Sequence, residues 1–183
     1  MENVSPLSAR ARFEETVRLV ADPVRRYLRR RTDAATADDV LAETLTVLWR
    51  RSDRTPAVAE VVPWAIGVAR LQLANAQRAA RRRDRLAAKI AVLDPPAAVV
   101  AEPGGPVDDE VRATLADLRP ADAEVLRLWA WDELAPREIA SVLGVTVNAA
   151  TVRLHRARRR FEDAWRKTQP SSGQVITREG NEP

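Results

Sequence analysis

Apolar residues Phe13, Val17, Val20, Val24 and Tyr27 recur at spacings of 4, 3, 4 and 3, which is one stripe along a helix. Asp22-Pro23 interrupts that stripe. Asp as an N-cap with Pro at the first helical position predicts two helices abutting at a shallow bend. Thr36-Ala37-Asp38-Asp39 has the hydroxyl-x-x-acid form of a helix start and precedes Val40, Leu41, Leu45, Leu48 and Trp49. This helix is expected to end near Arg51. Residues 52–62 read as a loop, after which Pro63 opens a long helix through Trp64, Val68, Leu71 and Asn75 into the basic run from Arg78 to Lys89. Trp49 and Trp64 fall at core-compatible spacings and are expected to pack this first unit.

Residues 94–106 hold four Pro and two Gly in thirteen positions, a density no regular element tolerates, so they read as an extended linker. Beyond it Val111, Leu115 and Leu118 mark a short helix. Pro120 opens a second with Val125, Leu128 and Trp129, and Pro136 a third with Ile139, Val142 and Leu143, which Gly144 ends. The last helix carries Val147, Ala150, Leu154, Ala157, Phe161 and Ala164 at spacings of 3, 4, 3, 4 and 3, predicting a regular buried stripe. No segment favours strands. The pattern predicts an all-α chain with a first helical domain at 8–93, a Pro/Gly-rich linker at 94–107, a second helical domain at 108–167 and a disordered polar tail at 168–183.

Composition narrows the function. The 183 residues contain no Cys and one His, which excludes disulfides, thiolate nucleophiles and Cys-ligated metals. Any triad or His-ligated metal site would have to be built on His155 alone, so neither catalysis, a metal nor a cofactor is expected. The first residues form neither a basic n-region nor an apolar h-region, and no stretch approaches the roughly 18 apolar residues of a membrane span, so a soluble, cytoplasmic protein is expected. The net charge of +4 hides segregation. Residues 1–90 carry 18 basic and 11 acidic side chains, residues 91–138 carry 4 and 11, and residues 139–183 carry 8 and 4. Two basic regions around an acidic one point to polyanion contacts at two separate places. Only Lys89 and Lys167 among the 30 basic residues are lysines. Arginine's planar fork suits phosphates and base edges, although a GC-rich genome produces the same bias.

The stretch from Pro136 to His155 has the spacing of a helix-turn-helix, with small Ala140 permitting close helix approach, Gly144 supplying the positive φ of the turn and Thr146 able to cap the second helix. With the buried stripe fixed, projection at about 100° per residue turns Asn148, Val152, Arg153, Arg156 and Arg159 outward, with Thr151 and His155 at the margins. These are the candidate DNA contacts, since the start of such a helix enters the major groove and Arg pairs bidentately with guanine. The bland alternative is a solvated basic helix. Asn75, Gln77, Arg78 and Arg81 on the earlier long helix could likewise follow a DNA backbone. Asp38, Asp39 and Glu43 complement a helix N-terminus, and their functional reading is a protein-binding acidic edge.

Three stretches together resemble the bacterial RNA polymerase sigma factors of the small extracytoplasmic-function class, over roughly residues 10–165. They are Asp38 to Arg50; Pro63 to Arg70 with Leu73-Ala74-Asn75 and the arginine run; and Leu118 to Leu126 through to Leu154-His155-Arg156-Ala157. The resemblance implies that the first domain is region 2, with Asp38, Asp39 and Glu43 on a helix that docks on the clamp helices of the polymerase largest subunit. It implies that residues 53–62 form a loop capturing an unstacked base, and that Asn75, Gln77 and Arg78 meet the -10 element near the melted edge. Unstacking costs a few kcal/mol per step, which polymerase contacts help offset. The second domain looks like region 4, whose helix through Thr151, Val152, Arg153, His155 and Arg156 would read the -35 element while its other face docks on the polymerase flap. The acidic linker would thread the RNA exit channel, and inhibition by an anti-sigma factor is common in the class. Thr151 and Val152 stand where many relatives carry Lys or Arg and Ser, and Leu71-Gln72 departs from the commoner pairings, so promoter bases do not carry over.

The resemblance implies a non-enzymatic chain, monomeric when free, that directs core polymerase to promoter DNA. The rival is a conventional dimeric helix-turn-helix regulator on a palindrome, against which stands the lack of a heptad seam. A carboxylate–metal nuclease built on Asp38, Asp39 and Glu43 is the remote third reading.

Overall fold

The computed structural model describes residues 6–90 and 109–168. The linker and tail expected at 94–107 and 168–183 lie outside the described residues, apart from Thr168 itself. Seven α-helices and one 3-10 turn make up the described chain, in which no strand occurs: α1 Pro6–Arg29, α2 Ala34–Arg50, the turn Ser52–Arg54, α3 Val58–Ile90, α4 Asp109–Asp117, α5 Pro120–Ala130, α6 Pro136–Leu143 and α7 Val147–Thr168.

Three starts differ from the sequence pattern. Helix α1 runs through Pro23 as one helix, because Val20, Val24 and Tyr27 are all buried on its inner face. The carbonyl that Pro23 leaves without a donor belongs to Leu19, on the exposed side of α1. Helix α2 starts at Asp33, three residues before Thr36, and the Asp33 carboxylate accepts the Thr36 backbone N–H at 2.9 Å. Helix α3 begins at Val58, so Pro63 lies inside it and the second half of the expected 53–62 loop is helical. Burial of Val61, Ala65 and Ile66 on one face extends the helix backward past the proline.

Helices α1, α2 and α3 pack mutually, and α4 to α7 form a second group around α7. Four residues of the expected apolar pattern are exposed, Leu71 and Trp129 at 60% and 40% among them. Trp49 is 45% exposed, set edge-on to Phe13 at 5.0 Å where α1 and α2 meet. Val147, the first member of the last stripe, is 49% exposed because it opens α7 before the helix reaches its neighbours.

The groups meet through α3 and α6, and the buried apolar residues of both form one continuous cluster. Gly67 lies at this approach, where a Cβ would stand 3.4 Å from the Val142 carbonyl oxygen, in ordinary van der Waals contact. Beside the apolar contact lies a polar one. The Arg31 guanidinium donates to the Asp132 carboxylate at 2.6 Å, and these side chains are 8% and 4% exposed. Arg30 donates to the Trp131 carbonyl and lies 3.5 Å from Asp132. The Tyr27 hydroxyl donates to Glu124 at 3.4 Å, with Arg70 at 3.6 Å from the same carboxylate. At the outer edge Arg137 pairs with Glu60 at 2.7 Å, both exposed.

Candidate nucleic-acid interface

The turn between α6 and α7 follows from Gly144. At φ 64° and ψ 38° it occupies the left-handed region, letting the Val145 N–H reach the Ala140 carbonyl at 3.0 Å and the Gly144 N–H reach Ser141 at 3.3 Å. Thr146 Oγ1 then accepts the Ala149 N–H at 3.2 Å and starts α7. At the other end of α6, Glu138 accepts the Ala135 N–H at 2.8 Å, one half of a capping box, since Ala135 has no oxygen to complete it. Ile139, Ala140 and Val142 of α6 and Ala150, Leu154 and Ala157 of α7 are buried, which fixes the rotation of α7.

That rotation leaves Asn148, Thr151, Val152, His155, Arg156 and Arg159 exposed, while Arg153 is half-buried. Asn148, Val152, Arg153 and Arg156 line one groove with Arg119, Asp122 and Arg160. Sequence reasoning missed Arg119 and Arg160. Arg160 lies one turn beyond Arg156, and its 2.5 Å pair with buried Asp122 ties the end of the outward face of α7 to α5. Arg119 directly precedes Pro120, so only the fold brings it to α7. On the neighbouring side Arg158 stands over the Trp129 ring at 4.8 Å, which fixes a cation there by ring stacking.

On α3, Asn75, Gln77, Arg78 and Arg81 are exposed, and Arg78 donates to the Asn75 side chain at 2.5 Å. Gln77 and Arg78 line a cleft between the two helical groups together with Arg70, Arg127 and Arg153. Candidate residues from both basic regions thus share one cleft. Within it Arg127 lies over Trp131 at 5.5 Å, and burial pushes its guanidinium below the ordinary value.

Asp38, Asp39 and Glu43 are exposed on α2, and Asp38 is paired with Arg29 at 3.1 Å. Among the described residues no cluster of His, Asp or Glu could hold a metal ion, and no helix is long and apolar enough to cross a membrane. The loop residues Asp53, Arg54 and Thr55 precede α3, with Asp53 and Arg54 exposed.

No curated protein matches the chain. Residues 108–161 match the family model described as Sigma-70, region 4. Among solved structures, the sigma factor RpoE from Bartonella quintana, in complex with the anti-sigma factor NepR, is similar with a TM-score of 0.58 at 16% identity, over 85% of this chain and 97% of that one. CnrH, solved with the cytosolic domain of CnrY, gives 0.56 at 21% identity, over 86% and 89%. PhyRSL of Sphingomonas sp. Fr1, solved with NepR, gives 0.57 at 19% identity, over 87% and 93%. The second helical group is therefore similar to sigma-70 region 4, within an all-α chain whose fold is similar to that of these solved structures.

Proposed function

We infer that the chain is an RNA polymerase sigma factor of the extracytoplasmic-function class, which binds core polymerase and directs it to promoters through -10 and -35 recognition. The observation that carries this reading is the match to sigma-70 region 4 over the same residues that build the helix-turn-helix with its outward basic face. Asn148, Thr151, Val152, Arg153, His155, Arg156 and Arg159 read or hold the -35 element, and Asn75, Gln77, Arg78 and Arg81 serve the -10 element. Exposed arginines and amides of this kind contact phosphates and base edges without needing a preformed pocket. Asp38, Asp39 and Glu43 form an acidic edge for the clamp helices. The protein supplies recognition, performs no chemistry of its own, and works in the cytoplasm where polymerase is. RpoE and PhyRSL were solved with NepR, and the same type of partner, an anti-sigma factor, fits a regulated role for this chain.

Run-off transcription from genomic fragments with purified core polymerase tests the assignment. New discrete transcripts that require this chain are expected. No transcripts, with tight binding of a palindrome by the chain alone, would overturn it in favour of a dimeric regulator.

A further inference from the structure

We propose that the cleft between the two helical groups is a binding site for a nucleoside polyphosphate, with its arginines on the phosphates and its apolar wall against the base. The cleft holds about 1160 Å³ between α3, α5 and α7 and opens to solvent. Sites for drug-sized ligands run to roughly 300–1,000 Å³, so a base, a sugar and several phosphates fit here together.

Seven arginines and two glutamates line the cleft, and the carboxylates within reach are already shared. Arg30 and Arg31 are held by Asp132, Arg70 by Glu124 and Arg112 by Asp109. Glu124 also accepts from Tyr27 and stands 3.9 Å from Arg31, whose Nε is buried without a hydrogen-bond partner. Glu133, the second acid of the lining, is exposed. Arg78, Arg127 and Arg153, one each from α3, α5 and α7, pair with no carboxylate among the described residues. Arg127 is half-buried, and burial holds its guanidinium below the ordinary value while Glu124 and Arg31 act on it in opposite senses. A bound phosphate supplies the counter-charge this cation lacks, through the forked, charge-assisted contact that arginine makes best. Arg78 and Arg153 also belong to the proposed DNA contacts, so nucleotide and promoter draw on the same two side chains.

Much of the remaining lining is apolar. Exposed Leu71 stands in the cleft with Trp131, Leu143 and Pro120. A bare polyphosphate leaves that surface wet, whereas a base covers it and removes apolar area from water. Duplex DNA carries its phosphates on a convex surface and does not bring them to a half-buried arginine inside a cleft. Among the described residues no acidic cluster could hold a metal ion, so the arginines, not a cation held by the protein, meet the phosphate charge.

The cleft forms in the chain by itself, so its test needs neither polymerase nor DNA and is independent of the sigma-factor reading. Calorimetric titration of the full chain with ATP or GTP at about 0.15 M salt should show one site per chain with micromolar affinity. Tripolyphosphate should bind at least about tenfold more weakly, and adenosine alone should give no measurable heat. Arg127→Met keeps an unbranched side chain against Trp131 and removes the charge, and it should weaken nucleotide binding about tenfold or more. Leu71→Asp, at an exposed position, should weaken it as well by setting an anion against the phosphates. Arg18→Gln removes an equal charge from an exposed position of α1 outside the cleft and should leave the affinity unchanged. Circular dichroism checks that every variant keeps its helices. Absence of binding by both ATP and GTP at millimolar concentration would overturn the site. Unchanged affinity in helical Arg127→Met, or an equal loss in Arg18→Gln, would overturn it too, the latter by showing a diffuse effect of charge. Tripolyphosphate binding as tightly as ATP would overturn the contact assigned to the base.

Discussion

Two residues with left-handed backbone carry opposite consequences. Gly144 pays nothing for φ 64°, and no atom lies within 4 Å of a Cβ placed there, so backbone conformation alone decides a substitution. Glu133 holds φ 56° with a side chain that disfavours it. Gly144→Ala should lower stability by about 1 kcal/mol and Glu133→Gly should raise it by up to about 1 kcal/mol, read from denaturant midpoints at constant m. Asp33 gives a third test. The Thr36 N–H holds its carboxyl below the ordinary value, so the folded pKa is depressed. Its contribution is complete above the ordinary carboxylate range and is lost as pH falls through the depressed value. Asp33→Ala should cost about 1 kcal/mol at neutral pH, with the difference from wild type shrinking in acid melts. The sequence pattern placed this cap at Thr36, since both positions carry capping side chains ahead of one apolar run. The structure chooses Asp33 because Ala37 and Val40 must face the core.

At the scale of elements, legibility depended on whether a local signal met a competing demand. Pro120 and Pro136 open α5 and α6 as their sequence predicts, because at those positions missing donors cost nothing. Pro23 and Pro63 were read the same way, yet both lie within helices whose flanking residues are buried on both sides of the proline. The turn, the cap and most of the buried stripe of the helix-turn-helix were legible because each is set within a few residues. Arg119 and Arg160 were not, since their groove is made by α5 and α7 meeting. Arg156 is exposed on α7, on the face proposed above to read the -35 element. Arg156→Ala should weaken discrimination at the -35 element by roughly 1–3 kcal/mol, leaving polymerase binding intact, as measured by holoenzyme competition across base variants. Equal loss on all sequences would show that it holds only phosphate.

Across the whole molecule, the sequence showed two basic regions and a boundary but not that the helical groups meet. Arg31 and Asp132 are 101 residues apart, and neither carries a local sign of its partner. Their burial makes the stability of the join depend on pH. Asp132 faces Arg31, Arg30 and Glu124, and burial raises its folded pKa above the ordinary carboxylate value. The folded chain therefore holds that proton more tightly than the unfolded one. Stability should fall as pH rises from the ordinary carboxylate range through the raised value and level off above it. Denaturant midpoints recorded across mildly acidic to neutral pH check this, and Asp132→Asn should flatten the profile.

The outward face of α7 has a further meaning for how such a protein changes over generations. Val142 is buried in the turn motif and also meets Gly67 of α3, so a change there disturbs two contacts at once. Asn148, Val152 and Arg156 lie open to solvent, outside both. On the sigma-factor reading proposed above, promoter preference can therefore drift, or be rewritten by design, one exposed side chain at a time, with the scaffold that folds the molecule left untouched.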